Sequence, residues 1–186
     1  MTRSLTAPVY DASTVARLLG ITYTEDQLNT FGPPPDPLDG FVTFFDPGWN
    51  ILKLRTACEG KGRIFYPQSW YEPEPFAQTE DFPRYREVRG KPVLDSTRKA
   101  YAEQLKLLPE GEEVPPARVV LAALVTHFLA TGERLLPDIC VRCADQTSRS
   151  ARVNVGYFGR GGLLVDHYWD GGRDSGFGIT SSRKFP

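Results

Sequence analysis

The run "PPARVVLAALVTHFLATG", residues 115–132, constrains this chain more than any other stretch. Its apolar residues fall on every side of a helix rather than along one stripe, so a helix here has to be covered all round. Pro116 suits the first turn and Gly132 suits the stop. The pattern predicts a helix over 115–131 with Val119, Val120, Leu124 and Phe128 in the core. A chain of 186 residues is long enough to bury such a helix in one domain, with or without a small subdomain.

The remaining segments are candidates for its cover. "YDASTVARLLG" predicts a short helix capped by Asp11 or Ser13, with Val15, Leu18 and Leu19 on one face and Gly20 as its stop. "TEDQLNTFG" predicts a second, with a Thr24–Gln27 capping box and a stop at Gly32. Pro33, Pro34, Pro35 and Pro37 then forbid helix and hinder sheet. This stretch reads as a linker after a helical N-terminal piece, residues 1–35, or as a stiff loop packed on the body. "FVTFFD", "ILKLRTAC" and "RIFYP" read as strands, and residues 68–92 as irregular structure pinned by aromatic rings. "STRKAYAEQLKLL" reads as a helix capped near Ser96. "DICVRC", "RVNVGYF", "GLLVDHYW" and "GFGITSS" are four short strands between glycine turns. Helices, strands, helices and strands in that order predict an α+β fold rather than a regular βαβ series.

Bulk properties remove several function classes. The net charge is −1, from 22 basic and 23 acidic residues, and a nucleic-acid binder needs a basic excess to displace counterions. No apolar run has the length to span a bilayer. No apolar leader opens the chain, and three cysteines do not make a disulfide framework, so the expected compartment is the cytoplasm.

Catalytic and metal motifs are sparse. Cys140 and Cys143 form a C-x-x-C, but no second ligand pair accompanies it, and a strand turns the two thiols to opposite faces. Two half-buried structural thiols are the better reading. His127 lies in the apolar helix and reads as a hydrogen-bonded core histidine. Asp166, Asp170 and Asp174 recur every four residues, unlike the ligand order of a calcium loop. Glu112 and Glu113 precede the apolar helix and suit its N-terminal dipole. No cofactor or metal is expected.

The C-terminal stretch is different in kind. From 147 to 182 there is no Glu, Lys, Gln or Met, although the first three types are frequent elsewhere. Nearly all types present there are reachable from an asparagine codon by freely replacing its two adenines; Trp169 is not. Tyr, Ser, Gly and Asn are also what selected binding surfaces use, because Tyr offers a large contact with few rotors to freeze. Val153, Val155, Leu163, Val165, Trp169 and Ile179 are expected to hold the strands, with the residues between them facing out.

"VRCADQTS", "RVNVGYF", "GLLVDHYW" and "GITSSRKF" resemble the C-terminal part of bacterial variable proteins that are targets of diversity-generating retroelements. Trp169 through Ile179, "W-D-x-x-R-x-x-x-x-G-I", is similar to the end of C-type-lectin-like domains of the formylglycine-generating-enzyme type. The resemblance implies a C-type-lectin-like domain over 36–186, a twisted antiparallel sheet with packed helices and much irregular structure. It implies a variable region at about 152–179 and a non-enzymatic role in binding a macromolecule, a protein first of all. Tyr157, Phe158, Arg160, Leu164, Asp166, His167, Tyr168, Gly172, Asp174, Ser175 and Phe177 are the ligand-binding residues it implies. Formylglycine-generating activity is not implied, since Cys140 and Cys143 do not match its cysteine pair. Two alternatives stand beside this reading. One is a hydrolase or metal-dependent enzyme using Asp166, His167 and Asp170; the other is an oligomer-forming structural protein whose aromatic tail is core and interface.

Overall fold

The computed structural model describes residues 7–184. In chain order its elements are β1 (Val9–Tyr10), α1 (Ala12–Leu19), α2 (Glu25–Phe31), β2 (Phe41–Asp46), α3 (Ile51–Ala57), α4 (Pro75–Gln78), β3 (Arg84–Arg89) and α5 (Tyr101–Leu105). They continue with β4 (Glu112–Glu113), α6 (Ala117–Thr131), β5 (Cys140–Gln146), β6 (Arg152–Gly159), β7 (Gly162–Tyr168), β8 (Phe177–Ile179) and β9 (Ser182–Arg183). The fold is α+β. One sheet has the order β1-β2-β3-β9-β4 and the other β7-β6-β5-β8.

Helix α6 touches both sheets and also packs on α1, α3 and α4, which is the all-round cover its sequence demands. Residues 117–127 are all buried. Val119, Val120 and Leu124 are in the core as expected, while Phe128 is half-buried and meets Phe158 at 5.1 Å between ring centres. Full burial of an aliphatic side chain contributes about 1.5–3 kcal/mol. Pro116 has no side chain able to cap the helix. Asp145, from β5, accepts the Ala117 N–H at 2.6 Å instead, placing a carboxylate at the positive end of the helix dipole. Glu112 and Glu113 do not take that role. They form β4, and Glu112 pairs with Arg89.

Residues 7–35 do not stand apart from the body. Val9 and Tyr10 pair in parallel with Thr43 and Phe44, and Val15 and Leu19 share one core cluster with β2 and α6. Asp11 and the Thr24–Gln27 box cap α1 and α2 as the sequence predicts. The prolines form a loop laid on the body, tied by the Tyr85 hydroxyl donating to Gly32 O at 3.2 Å. The core histidine is where it was expected: the Tyr10 hydroxyl bonds His127 Nδ1 at 2.9 Å.

Four local readings are corrected. "ILKLRTAC" is helix α3, because the Asn50 side chain accepts the Lys53 N–H at 2.8 Å and Ile51 and Leu54 share one buried side. "RIFYP" makes only an isolated bridge, Phe65 beside Leu163. "RYREVR", taken as irregular, is β3 in the middle of its sheet. Its charges are met by Asp46 and Asp81 for Arg86, and by Arg183 for the buried Glu87. The helix expected from Ser96 shrinks to five residues, since the Ser96 hydroxyl accepts the Ile179 N–H at 3.2 Å rather than capping a helix.

Candidate functional site

The β7-β6-β5-β8 sheet has two unlike faces because side chains alternate along each strand. Val141, Cys143, Val153, Val155, Leu163 and Val165 lie on the inner face, within the core that α6 anchors. The outer face is set by register. Asp166, Asn154, Arg142 and Ile179 form one row across the four strands, and Leu164, Gly156, Cys140 and Phe177 form the next. Arg152 and Tyr168 pair beyond them.

Arg142 is the centre of this outer layer and is 0% exposed. Its Nη1 donates to Lys99 O at 3.0 Å and to Gln104 Oε1 at 2.9 Å, and its Nη2 to Gly172 O at 2.8 Å. One side chain therefore ties the 96–104 and 170–176 segments to the sheet. Burial lowers its basicity, an effect that Asp170 opposes. Beside it, Arg152 makes a bidentate pair with Asp170 at 3.0 and 2.9 Å and lies 3.9 Å over the Tyr101 ring. Burial acts to lower the Arg152 pKa, but Asp170 and Tyr101 more than offset it.

Aromatic rings cover the layer, and glycines seat them. Tyr168 from one edge strand and Phe177 from the other stack at 4.8 Å. A Cβ at Gly172 would collide with the Tyr168 ring, one at Gly171 with the Trp169 ring, and one at Gly176 with the Tyr157 hydroxyl. The absent Cβ lets these side chains approach the backbone closely at the three positions. Tyr157 sits at a bulge in β6, with φ 41°, and is 39% exposed. A tyrosine at positive φ is strained, and bulges re-aim side chains next to functional sites. Burial raises its pKa, and Cys140 and Asp174 add to the shift.

The expected binding residues divide into three groups. Leu164, Asp166, Tyr168 and Phe177 share the outer face and are half-buried, with Tyr157, Asp174 and Ser175 exposed at its rim. His167 is exposed but on the opposite face of β7, against Trp70 at 4.8 Å; Arg160 is exposed at the β6–β7 turn. Phe158 and Gly172 are corrections. Phe158 is 0% exposed and packs into the core on Phe128, because the bulge shifts the alternation after Gly156. Gly172 is buried under Tyr168 and serves through its carbonyl. Trp169, expected to hold a strand, is 63% exposed.

Asp166, His167 and Asp170 do not converge. Neighbouring strand residues point to opposite faces, and Asp170 is engaged by Arg152. Asp174 turns back to accept the Gly176 N–H at 2.7 Å. Among the described residues no three His, Cys, Asp or Glu side chains are grouped to hold a metal ion. Cys140 and Cys143 are fully buried rather than half-buried. Burial pushes the Cys140 thiol up to about 12, and the Cys143 thiol well above its ordinary range. No described helix is long and apolar enough to cross a membrane.

Arg142, Asn154 and Trp169 are the participants that sequence reasoning missed. In "RVNV" the alternation already sets Asn154 opposite to the valines; nothing in "CVRC" marks Arg142 as buried. No protein-family model, no curated protein and no solved structure matches this chain.

Proposed function

We propose that the chain is a non-enzymatic ligand-binding protein whose partner, itself a protein, docks on the outer face of the four-stranded sheet. The carrying observation is the contrast along residues 152–179: Val153, Val155, Leu163, Val165 and Ile179 are wholly buried, while Tyr157, Trp169 and Asp174 are exposed and Asp166 is half-buried, so aromatic and acidic groups edge the face. Aromatic anchors dominate protein interfaces, and a scaffold locked from below lets rim residues change without unfolding. The structural-oligomer reading would be favoured by burial of Tyr157, His167, Tyr168 and Phe177 in the core; the first two are exposed and the others half-buried. Asp166, His167 and Asp170, on which the enzymatic reading rests, do not converge.

The finer reading is a C-type-lectin-like variable protein diversified by a retroelement and acting in the cytoplasm. The residue types of 147–182 and the irregular, glycine-seated C-terminal segment support it. The test is to sequence this gene in many isolates, with the DNA around it. Expected are a neighbouring reverse transcriptase, an imperfect repeat of the last coding stretch, and adenine-linked changes at rim codons such as 157, 166 and 174. Val153, Val155, Leu163 and Val165 should be constant. Changes spread evenly over both faces, or no repeat, would discard the diversification reading.

A further inference from the structure

A cleft of about 400 Å³ opens where Gly40 and Arg89, at the ends of β2 and β3, meet the 91–109 segment; none of residues 152–179 lines it. Arg89 and Lys91 supply its charge, and Leu94, Leu107 and Pro109 wall it with apolar surface. Arg89 is locked in place. Its Nε and Nη2 donate to the two carboxylate oxygens of Glu112, Nε also reaches Ser181 Oγ at 3.1 Å, and the guanidinium lies 4.5 Å from the centre of the Phe41 ring. The third nitrogen, Nη1, has no hydrogen-bond partner among the described residues and stands at Gly40, 3.9 Å from where a Cβ there would be. It is not sealed in, since the Arg89 side chain is 28% exposed. Lys91 is exposed and makes no ion pair among the described residues. Leu94 is held out to solvent. The Val93 N–H donates to Ile179 O at 2.8 Å, the Ser96 N–H to Val93 O at 3.2 Å, and the Ser96 hydroxyl accepts the Ile179 N–H. This clamp on β8, with Asp95 at φ 59°, fixes the turn and leaves Leu94 83% exposed.

A single exposed leucine is ordinary. One that walls a cleft beside a fixed, accessible guanidinium nitrogen and a free ammonium group selects a chemistry. The lining carries no carboxylate, and both oxygens of Glu112 are engaged, so a ligand cation finds no partner and meets two like charges. A bare inorganic anion leaves the leucines uncovered. A carboxylate with an aliphatic tail meets both halves of the site. One oxygen accepts from Arg89 Nη1, Lys91 closes on the other from its flexible stem, and the tail covers Leu94 and Leu107 against Pro109. We propose that this cleft binds a short free aliphatic carboxylic acid as its anion. The site goes beyond the protein-binding reading of the outer face and does not depend on it.

The test titrates the full-length protein, carbon-13-labelled at its leucine methyls, with sodium hexanoate, hexylammonium chloride and sodium acetate at matched ionic strength. Hexanoate should give saturable shifts of the Leu94 and Leu107 methyls. The other two should bind about tenfold more weakly, each lacking one half of the match. Lys91→Gln should weaken hexanoate binding about fivefold and Leu94→Ser about tenfold. Both variants should melt like wild type, because both side chains are exposed. The proposal is overturned by no saturable shift, by hexylammonium binding as well as hexanoate, or by undiminished hexanoate affinity in Lys91→Gln. Two further outcomes overturn it by giving the cleft another occupant. Tighter binding of N-acetylated leucyl-leucine than of hexanoate would make that occupant a polypeptide C-terminus. A wild-type dimer that Leu94→Ser converts to monomer in sedimentation would make it a second copy of the chain.

Discussion

On the inner face of the β7-β6-β5-β8 sheet, valines, a leucine and a thiol pack against the core around α6. On the outer face, the same strands carry Arg142, Arg152, Asn154 and Asp166 beneath a sheet of aromatic rings. Both layers are largely buried, but they are held differently. The inner face depends on apolar area and shape, and any aliphatic residue of the right size suits it. The outer face depends on named hydrogen bonds, each of which fails if one partner is lost. The comparison separates what keeps the chain folded from what is free to be specific.

The largest effect should come from the inner side. Leu124→Asp places an unpaired carboxylate in the core around α6 and should abolish the cooperative thermal transition. A melt near that of wild type would mean that α6 is not the centre of the fold.

Next comes the hub of the outer layer. Arg142→Leu strands the carbonyls of Lys99 and Gly172 and the Gln104 amide, and should cost about 3 kcal/mol. Hydrogen exchange should quicken at the Arg98 and Tyr101 amides, which bond to Asp174 O and Asp170 O. Unchanged exchange there would show that the two loops hold themselves.

The charged groups outside the apolar face should carry the pH dependence. Burial acts to raise the Glu112 pKa, but its bonds to Arg89 and Ser181 hold it below the ordinary carboxylate value. A carboxyl group lowered by folding stabilises the protein above its unfolded pKa, and that contribution is lost as pH falls through the folded value. Glu112→Gln should therefore cost about 1 kcal/mol near neutral pH, since Arg89 is partly exposed and screened. The gap from wild type should close below the ordinary carboxylate range. A gap that stays constant from neutral to acid pH would assign the loss to packing instead.

The smallest stability effects should sit at the rim, with the sharpest effect on binding. Trp169→Ser and Asp174→Ser should each shift stability by no more than about 0.5 kcal/mol, measured by denaturant titration. A loss several times larger would make these residues structural and undo the contrast between scaffold and rim.

Much of the inner architecture was legible because it follows local rules. The all-apolar run of α6, the capping residues Asp11 and Thr24, the stops at Gly20 and Gly132, and the alternation in "RVNV" each act over a few residues. The misses have a common cause. β3 reads as charged coil because its arginines and Glu87 are neutralised by Asp46, Asp81 and Arg183, remote in the chain or beyond a turn. Ser96 reads as a cap until Ile179 claims its hydroxyl. Phe158 reads as displayed until one bulge reverses the alternation.

The sequence by itself determined the α+β class, a helix that must be wrapped, and a C-terminal stretch built of short strands and glycine turns. These depend on periodicity and capping, which are properties of neighbouring residues. Only the tertiary structure decided that Asp145 caps α6, that Arg142 is buried with Asn154 opposite it, and that His167 and Asp166 part company across β7. Those outcomes depend on strand register and on partners far apart in the chain. A one-residue change of register inverts every face, and no local signal in "GYFGRGG" announces the bulge that makes it.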